Sequence, residues 1–76
     1  MHSVKPTLKE RLEEAIDELV EKGILWSEAS AQFEKLFILR CLRDSGGNLC
    51  RAADKMGVHR NTLSKKVRIH RIGLKK

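Results

Sequence analysis

The spacing of small and apolar residues in the second half of the chain constrains its fold more than any other feature. The alanine pair at 52–53 allows two helices to approach closely, Gly57 permits a left-handed turn, and Val58 can fill the corner behind it. Leu63 and Val67 then recur at the i, i+4 spacing of one helix face. Two short helices that cross at a steep angle need residues of these types in this order. The segment therefore predicts a helix-turn-helix.

The remainder of the sequence indicates helices separated by turns, with no strand. Thr7 and Glu10 fit a capping box, in which the threonine hydroxyl and the glutamate carboxylate satisfy backbone N–H groups at a helix start. We therefore expect an all-α, four-helix fold in a single domain over residues 1–76. The predicted helices begin after Thr7 and end at Gly23, run from about Glu28 to Arg43 with Ser27 as cap, from Leu49 to Met56 with Asn48 as cap, and from about Arg60 to Arg71.

The second predicted helix has apolar residues on more than one face. Such a helix must be buried on more than one side, and a chain of only 76 residues has little core of its own. One side can pack on the C-terminal helices and the other on a second copy of the chain. The sequence therefore predicts a homodimer, with dimerisation helices in 7–43 and the helix-turn-helix in 48–71. Burial of the second helix within a monomer is the alternative.

The charge of the chain is distributed unevenly between its halves. Residues 1–38 contain five Lys/Arg and eight Asp/Glu, a balance of −3, whereas residues 39–76 contain eleven Lys/Arg and two Asp/Glu, a balance of +9. The basic half predicts a surface for a polyanion, and the acidic half predicts a different role for the other end of the molecule. A solvated basic tail is the alternative explanation of the charge alone.

The two cysteines and three histidines do not indicate a metal or catalytic site. Cys41, Cys50, His59 and His70 lack the close ligand pairs of a zinc site, and no phosphate-binding glycine loop or nucleophile elbow is present. The cysteines lie in a charged sequence without a signal peptide or an apolar run of about 18 residues. We therefore expect a cytoplasmic protein with reduced thiols and no enzyme activity. We expect no cofactor, metal, membrane or small-molecule ligand.

The fourth predicted helix presents a basic outward side to a polyanion. A recognition helix enters the major groove of double-stranded DNA with its N-terminal residues at the base edges, where an arginine can bond guanine O6 and N7. Arg60, Asn61 and Lys65 are therefore the predicted base contacts. The side chains around them, and a helix N-terminus nearby, are expected at phosphates, which position the protein. The predicted phosphate contacts are Asn48, Thr62, Ser64, Lys66 and Arg68.

Two stretches of the segment 46–68 resemble the helix-turn-helix of the Fis family. They read GNLCRAA at 47–53 and MGVHRNTLSKK at 56–66. This type of helix-turn-helix occurs in the nucleoid protein Fis and at the C-terminus of NtrC-like activators. Residues 23–29, together with Phe33 and Phe37, also look like short stand-alone regulators of the family. The resemblance thus covers most of the chain, although the first helix contributes little to it.

The resemblance implies an intertwined homodimer with a place at the bacterial nucleoid. Its first two helices would form the dimer core and its last two the DNA-binding unit. Arg60 and Lys65 match base-contacting positions, and His59 matches a position near the bases. The positions that match phosphate contacts are Asn48, Thr62 and Lys66. The dimer core implied for this chain comprises Leu12, Ile16, Leu19, Phe33 and Phe37.

Three positions depart from the family pattern. Cys50 stands where the family has a phosphate-bonding threonine, and a thiol is a weak donor. Ser64 replaces an arginine, so we expect phosphate contacts at both positions to be weaker. Gly73 falls two residues later than the usual helix-ending glycine, which leaves the end of the last helix open.

More than one function is compatible with the sequence. A transcription factor and a nucleoid-associated architectural protein both fit, as does a fragment of a larger activator. The alternative from another class is a dimerisation module that regulates a partner protein and keeps the helix-turn-helix only as scaffold. A membrane-surface peptide fits less well, because Leu63 and Val67 are needed inside and leave no apolar wedge outside.

Overall fold

A computed structural model describes residues 5–73 of the chain. They form four α-helices, and no residue between 5 and 73 is in a strand, which confirms the all-α fold class. The chain forms two compact units, with the boundary after Ser30. The helices are α1 (Leu8–Glu21), α2 (Trp26–Asp44), α3 (Leu49–Met56) and α4 (Arg60–Ile69).

α1 lies in the first unit and begins and ends as its sequence predicts. Thr7 Oγ1 accepts a hydrogen bond from the Glu10 N–H, and Glu10 Oε1 accepts one from the Thr7 N–H at 2.8 Å, so the capping box is complete. At the other end Gly23 adopts φ +75°, and the Ile24 N–H donates to the Leu19 carbonyl. No residue of α1 is buried within the first unit.

α2 begins two residues before its predicted start. Glu28 Oε1 accepts a hydrogen bond from the Leu25 N–H at 3.4 Å, and the Leu25 carbonyl accepts from the Ala29 N–H. Leu25 therefore occupies the capping position, and the prediction that Ser27 caps the helix is wrong. The reason is that a glutamate at the third helical position can satisfy the preceding backbone N–H without a polar side chain at the cap.

The core of the second unit is built where α2, α3 and α4 meet. Ala52 and Ala53 are almost completely buried, so the backbone of α3 lies close to its neighbours. Leu63 lies opposite them at 0% exposure, and burial of one such side chain stabilises a fold by about 1.5–3 kcal/mol. The core comprises Ile38, Cys41, Leu42, Ala52, Ala53, Leu63 and Val67, and Leu49, Met56, Val58 and Ile72 pack against it.

α3 and α4 end with the same backbone geometry, although the residue with positive φ is of a different type in each. After α3, Gly57 adopts φ +76° and the Val58 N–H donates to the Ala53 carbonyl. After α4, the residue with positive φ is Arg71, at +56°, and the Ile72 N–H donates to the Val67 carbonyl. Both are Schellman ends, in which an apolar residue folds back onto the helix. α4 therefore ends at Ile69, and its predicted end at Arg71 is wrong.

Candidate nucleic-acid interface

The buried residues of α4 determine which of its side chains face outward. Leu63 and Val67 are buried, and each residue of an α-helix is rotated by about 100° from the previous one. Lys65 is therefore directly opposite the core, with Asn61 and Arg68 beside it. All three side chains are exposed. The structure thus brings together two of the predicted base contacts and one predicted phosphate contact on a single face.

His59 forms the N-terminal cap of α4. Its Nδ1 accepts a hydrogen bond from the Asn61 N–H at 3.0 Å, and its carbonyl accepts the first bond of the helix, from the Leu63 N–H. The imidazole thus replaces the hydroxyl or carboxamide of a common cap. Arg60, the first residue of the helix, is exposed. A histidine and an arginine therefore stand together at the tip of the predicted recognition helix.

The N-terminus of α3 borders the same tip. Asn48 Oδ1 accepts a hydrogen bond from the Arg51 N–H at 3.0 Å, which confirms Asn48 as the helix cap. Cys50, in the first turn of α3, is an exposed free thiol, and Arg60 Nη1 donates to its Sγ at 3.8 Å. An open hollow of about 400 Å³ lies between the two helix starts and is lined by Cys50, Ala53, Asp54, Val58, His59 and Arg60.

Lys66 is placed differently from its neighbours on α4. It is half-buried, and its Nζ lies 2.5 Å from Oε1 of Glu34 on α2, while Nε2 of His70 lies 3.8 Å from the same oxygen. The hydrogen bond from Lys66 is the main reason that the pKa of Glu34 is lowered. Glu34 was not predictable as part of this site from the sequence, because only the packing of α4 on α2 shows that these groups meet. Ser64 is half-buried on the other edge of the apolar stripe, and Thr62 is exposed.

The second unit keeps a large excess of positive charge at its surface. One of its carboxylates, Asp44, is already paired: Arg40 Nε lies 2.9 Å from it, and that hydrogen bond is the main cause of its lowered pKa. Arg51 and Lys55 on α3 are also exposed and were not among the predicted contacts, although their charge was a visible signal. The basic surface of α3 and α4 therefore remains available to an anionic partner.

Two other features, a metal site and a membrane-spanning helix, are not found in the part of the chain that the structure describes. Residues 5–73 contain no group of three or more His, Cys, Asp or Glu side chains arranged to hold a metal ion. Among the described helices, none has the length and apolar character needed to cross a membrane.

A known protein family matches most of the second unit. The family model described as "Bacterial regulatory protein, Fis family" matches residues 30–68, just over half of the chain. The matched part contains α3, most of α2 and nearly all of α4. No curated protein and no solved structure matches the chain.

Proposed function

Because the chain belongs to the Fis family of bacterial regulatory proteins, which bind DNA through a helix-turn-helix, we propose that it reads the major groove with α4 as a homodimer. The observation that carries this proposal is the outward face of α4. Lys65 lies opposite the buried Leu63 and Val67, and Arg60 stands exposed at the N-terminal tip. Because Leu63 and Val67 fix the inner face of α4 against the core, the basic face of the helix is turned outward.

The proposed contacts follow from position along α4. Arg60, His59 and Asn61 lie at the end that enters the groove first, and Lys65 follows one turn later, so these four contact base edges. Residues on and beside this face, together with two at the N-terminus of α3, are proposed to hold the phosphates on either side. The proposed phosphate contacts are Asn48, Cys50, Thr62, Ser64 and Arg68.

The proposal of a homodimer rests on apolar side chains that a single chain leaves in water. Ile16 and Phe37 are each 47% exposed and Phe33 is 61% exposed. The rings of Phe33 and Phe37 form an edge-to-face pair with centroids 6.0 Å apart. Exposed apolar residues in such number mark an interface, and a second copy would bring a second recognition helix. Leu12 is similarly exposed and Leu19 is half-buried.

Because its proposed partner is double-stranded DNA, we also propose that the protein acts in the cytoplasm, at the bacterial nucleoid. Whether it acts as a transcription factor or as an architectural protein depends on how strongly it distinguishes one duplex from another. The ratio of specific to non-specific affinity is therefore the quantity to measure.

The test is the affinity of the chain for labelled DNA duplexes, by fluorescence anisotropy across a salt series. We expect a steep loss of affinity with salt, because bound Lys and Arg release counterions from the phosphates. Arg60→Ala should weaken binding to a preferred duplex by about 1–3 kcal/mol and relax its sequence preference. Arg11→Ala, an exposed arginine of α1, is the matched control and should bind as the wild type does.

Each result decides between the candidate roles. An equal loss for Arg60→Ala on every duplex would place Arg60 on the backbone and favour an architectural protein. A wild-type chain that binds no duplex at low salt would contradict the proposed function and leave the helix-turn-helix as the scaffold of a protein-interaction module.

A further inference from the structure

One cluster of charged side chains lies outside the proposed base-reading face. Glu34 on α2 places Oε1 within ion-pair distance of both Lys66 and His70, which are one turn apart on α4. The side chain of His70 is only 11% exposed, and those of Glu34 and Lys66 are about one-third exposed. A partly buried pair of this kind is screened by salt much less than a surface pair.

The position of Lys66 differs from that of the other basic residues of α4. Lys65 and Arg68 are exposed, and within residues 5–73 no carboxylate oxygen lies within 4 Å of either charged group. Lys66 lies at the margin of the buried stripe, and its ammonium group is against α2. To reach a phosphate it would have to leave Glu34, which would exchange one anion for another and leave a half-buried carboxylate without its nearest cation.

We infer that Glu34 withdraws Lys66 from the phosphate contacts and uses it to fix the recognition helix on α2. Lys66 is then a positioning residue, in place of the phosphate contact expected from the sequence, and Glu34 limits the electrostatic part of the affinity. The inference rests on the proposed function, because it concerns which cations of α4 meet DNA.

The salt dependence of binding separates the two roles of a lysine. Each phosphate contact contributes about 0.9 to the slope of log affinity against log salt concentration. Arg68→Met should therefore reduce the slope by about 0.9 per chain, whereas Lys66→Met should leave it within about 0.2 of the wild type. Glu34→Gln should steepen the slope by about 0.9 per chain, because it frees the ammonium group. All are measured by anisotropy between about 50 and 200 mM NaCl.

Lysine reactivity in the free protein tests the pair without DNA. Acetic anhydride, followed by peptide mass spectrometry, should modify Lys66 several-fold more slowly than Lys65 in the wild type. In Glu34→Gln the rate at Lys66 should approach the rate at Lys65. This measurement decides whether the pair exists even if the wild type fails to bind DNA, a failure that would count against the proposed function itself.

Two results at Lys66 would overturn the inference. One is a slope that falls as much in Lys66→Met as in Arg68→Met. The other is a rate of acetylation at Lys66 that equals the rate at Lys65 in the wild type. If Lys66→Met does not fold, Glu34→Gln still decides, because an unchanged slope in that variant also contradicts the inference.

Discussion

The guanidinium group of Arg60 donates to the thiol of Cys50, with Nη1 3.8 Å from Sγ. The contact crosses the turn of the helix-turn-helix and joins the first turn of α3 to the tip of α4. A residue proposed to contact phosphate therefore touches the residue proposed to read bases. Changes at position 50 should be felt in DNA binding with little effect on the core, because Cys50 is exposed.

Cys50→Thr is expected to tighten DNA binding. A hydroxyl is a stronger hydrogen-bond donor than a thiol, and replacing the weak bond of the thiol to a phosphate by that of a hydroxyl should gain about 0.5–1.5 kcal/mol, or roughly 2- to 12-fold in affinity. Cys50→Val is the matched control, since valine has the shape of threonine without its hydroxyl. Anisotropy on a single duplex measures both variants. Equal affinities for the two variants would show that position 50 makes no bond to phosphate.

A charge at an exposed apolar position of either unit is expected to abolish the homodimer. Phe37→Glu and Ile16→Glu each place a carboxylate where the proposed interface excludes water. We expect the dimer dissociation constant to rise by at least about 30-fold, which corresponds to about 2 kcal/mol. Sedimentation equilibrium should then report the 8.7 kDa mass of one chain.

Glu14→Lys tests whether any charge change on α1 has this effect. Glu14 is exposed and, on a helical projection, lies away from the apolar stripe. This variant should sediment as the wild type does. A wild type that is already monomeric at micromolar concentration, or a dimer that survives both glutamate substitutions, would contradict the proposal.

Arg71→Gly is expected to stabilise the fold. Arg71 adopts φ +56°, a conformation that costs a residue with a Cβ roughly 1–2 kcal/mol and costs glycine little. Glycine loses more entropy on folding, so we expect a net gain of about 0.5–1 kcal/mol in the free energy of unfolding. Arg71→Ala removes the same charge but keeps the strained Cβ. Urea unfolding compares the two variants, and equal stabilities would show that the backbone at 71 is not strained.

Acid is expected to destabilise the protein through carboxylates that accept hydrogen bonds. The pKa of Glu34 is lowered from 4.5 mainly by the hydrogen bond from Lys66, and that of Glu10 mainly by the backbone N–H of Thr7. A folded-state pKa below the unfolded value means that the contribution is complete above about pH 4.5 and is lost as the pH falls through the folded value. Stability should therefore be level near neutral pH and fall below about pH 4.5.

Glu34→Gln removes one of these groups and should reduce the loss of stability on acidification. Urea unfolding of this variant and of the wild type between about pH 3 and pH 6 measures the difference. Glu14→Gln, at an exposed position of α1, is the control and should follow the wild-type curve. An identical pH dependence for Glu34→Gln and the wild type would contradict the prediction.

Helix starts and turns that each depend on local side chains were predictable from the sequence. Thr7 with Glu10 and Asn48 act as caps, and Gly57 supplies the positive φ after α3, because each of these effects depends on neighbours within a few residues. The start of α2 was not predicted correctly, because Ser27 and Glu28 both offered a polar group and the glutamate reached the earlier N–H. Local chemistry alone does not rank two such competing caps.

Features that depend on packing between helices could not be predicted. Lys65 and Lys66 are adjacent and identical in type, yet one faces away from the core and the other pairs with Glu34 on α2. The end of α4 belongs to the same class. Contact of Ile72 with the core ends the helix at a residue that is not glycine. Sequence spacing predicts which side of each helix faces the core, but it does not predict which residue of a neighbouring helix contacts that helix.

The hydrogen bond that caps α4 also limits which base atoms the capping residue, His59, could recognise. Nδ1 of His59 accepts from the Asn61 N–H, so in the neutral ring the proton is on Nε2. The nitrogen left free, Nε2, is then a hydrogen-bond donor, and the ring has no free acceptor. In the major groove it complements N7 or O6 of guanine, N7 of adenine or O4 of thymine, and it opposes the amino group of cytosine. A backbone cap thus gives the imidazole a fixed hydrogen-bond polarity, which would disfavour cytosine at the base that we propose it contacts.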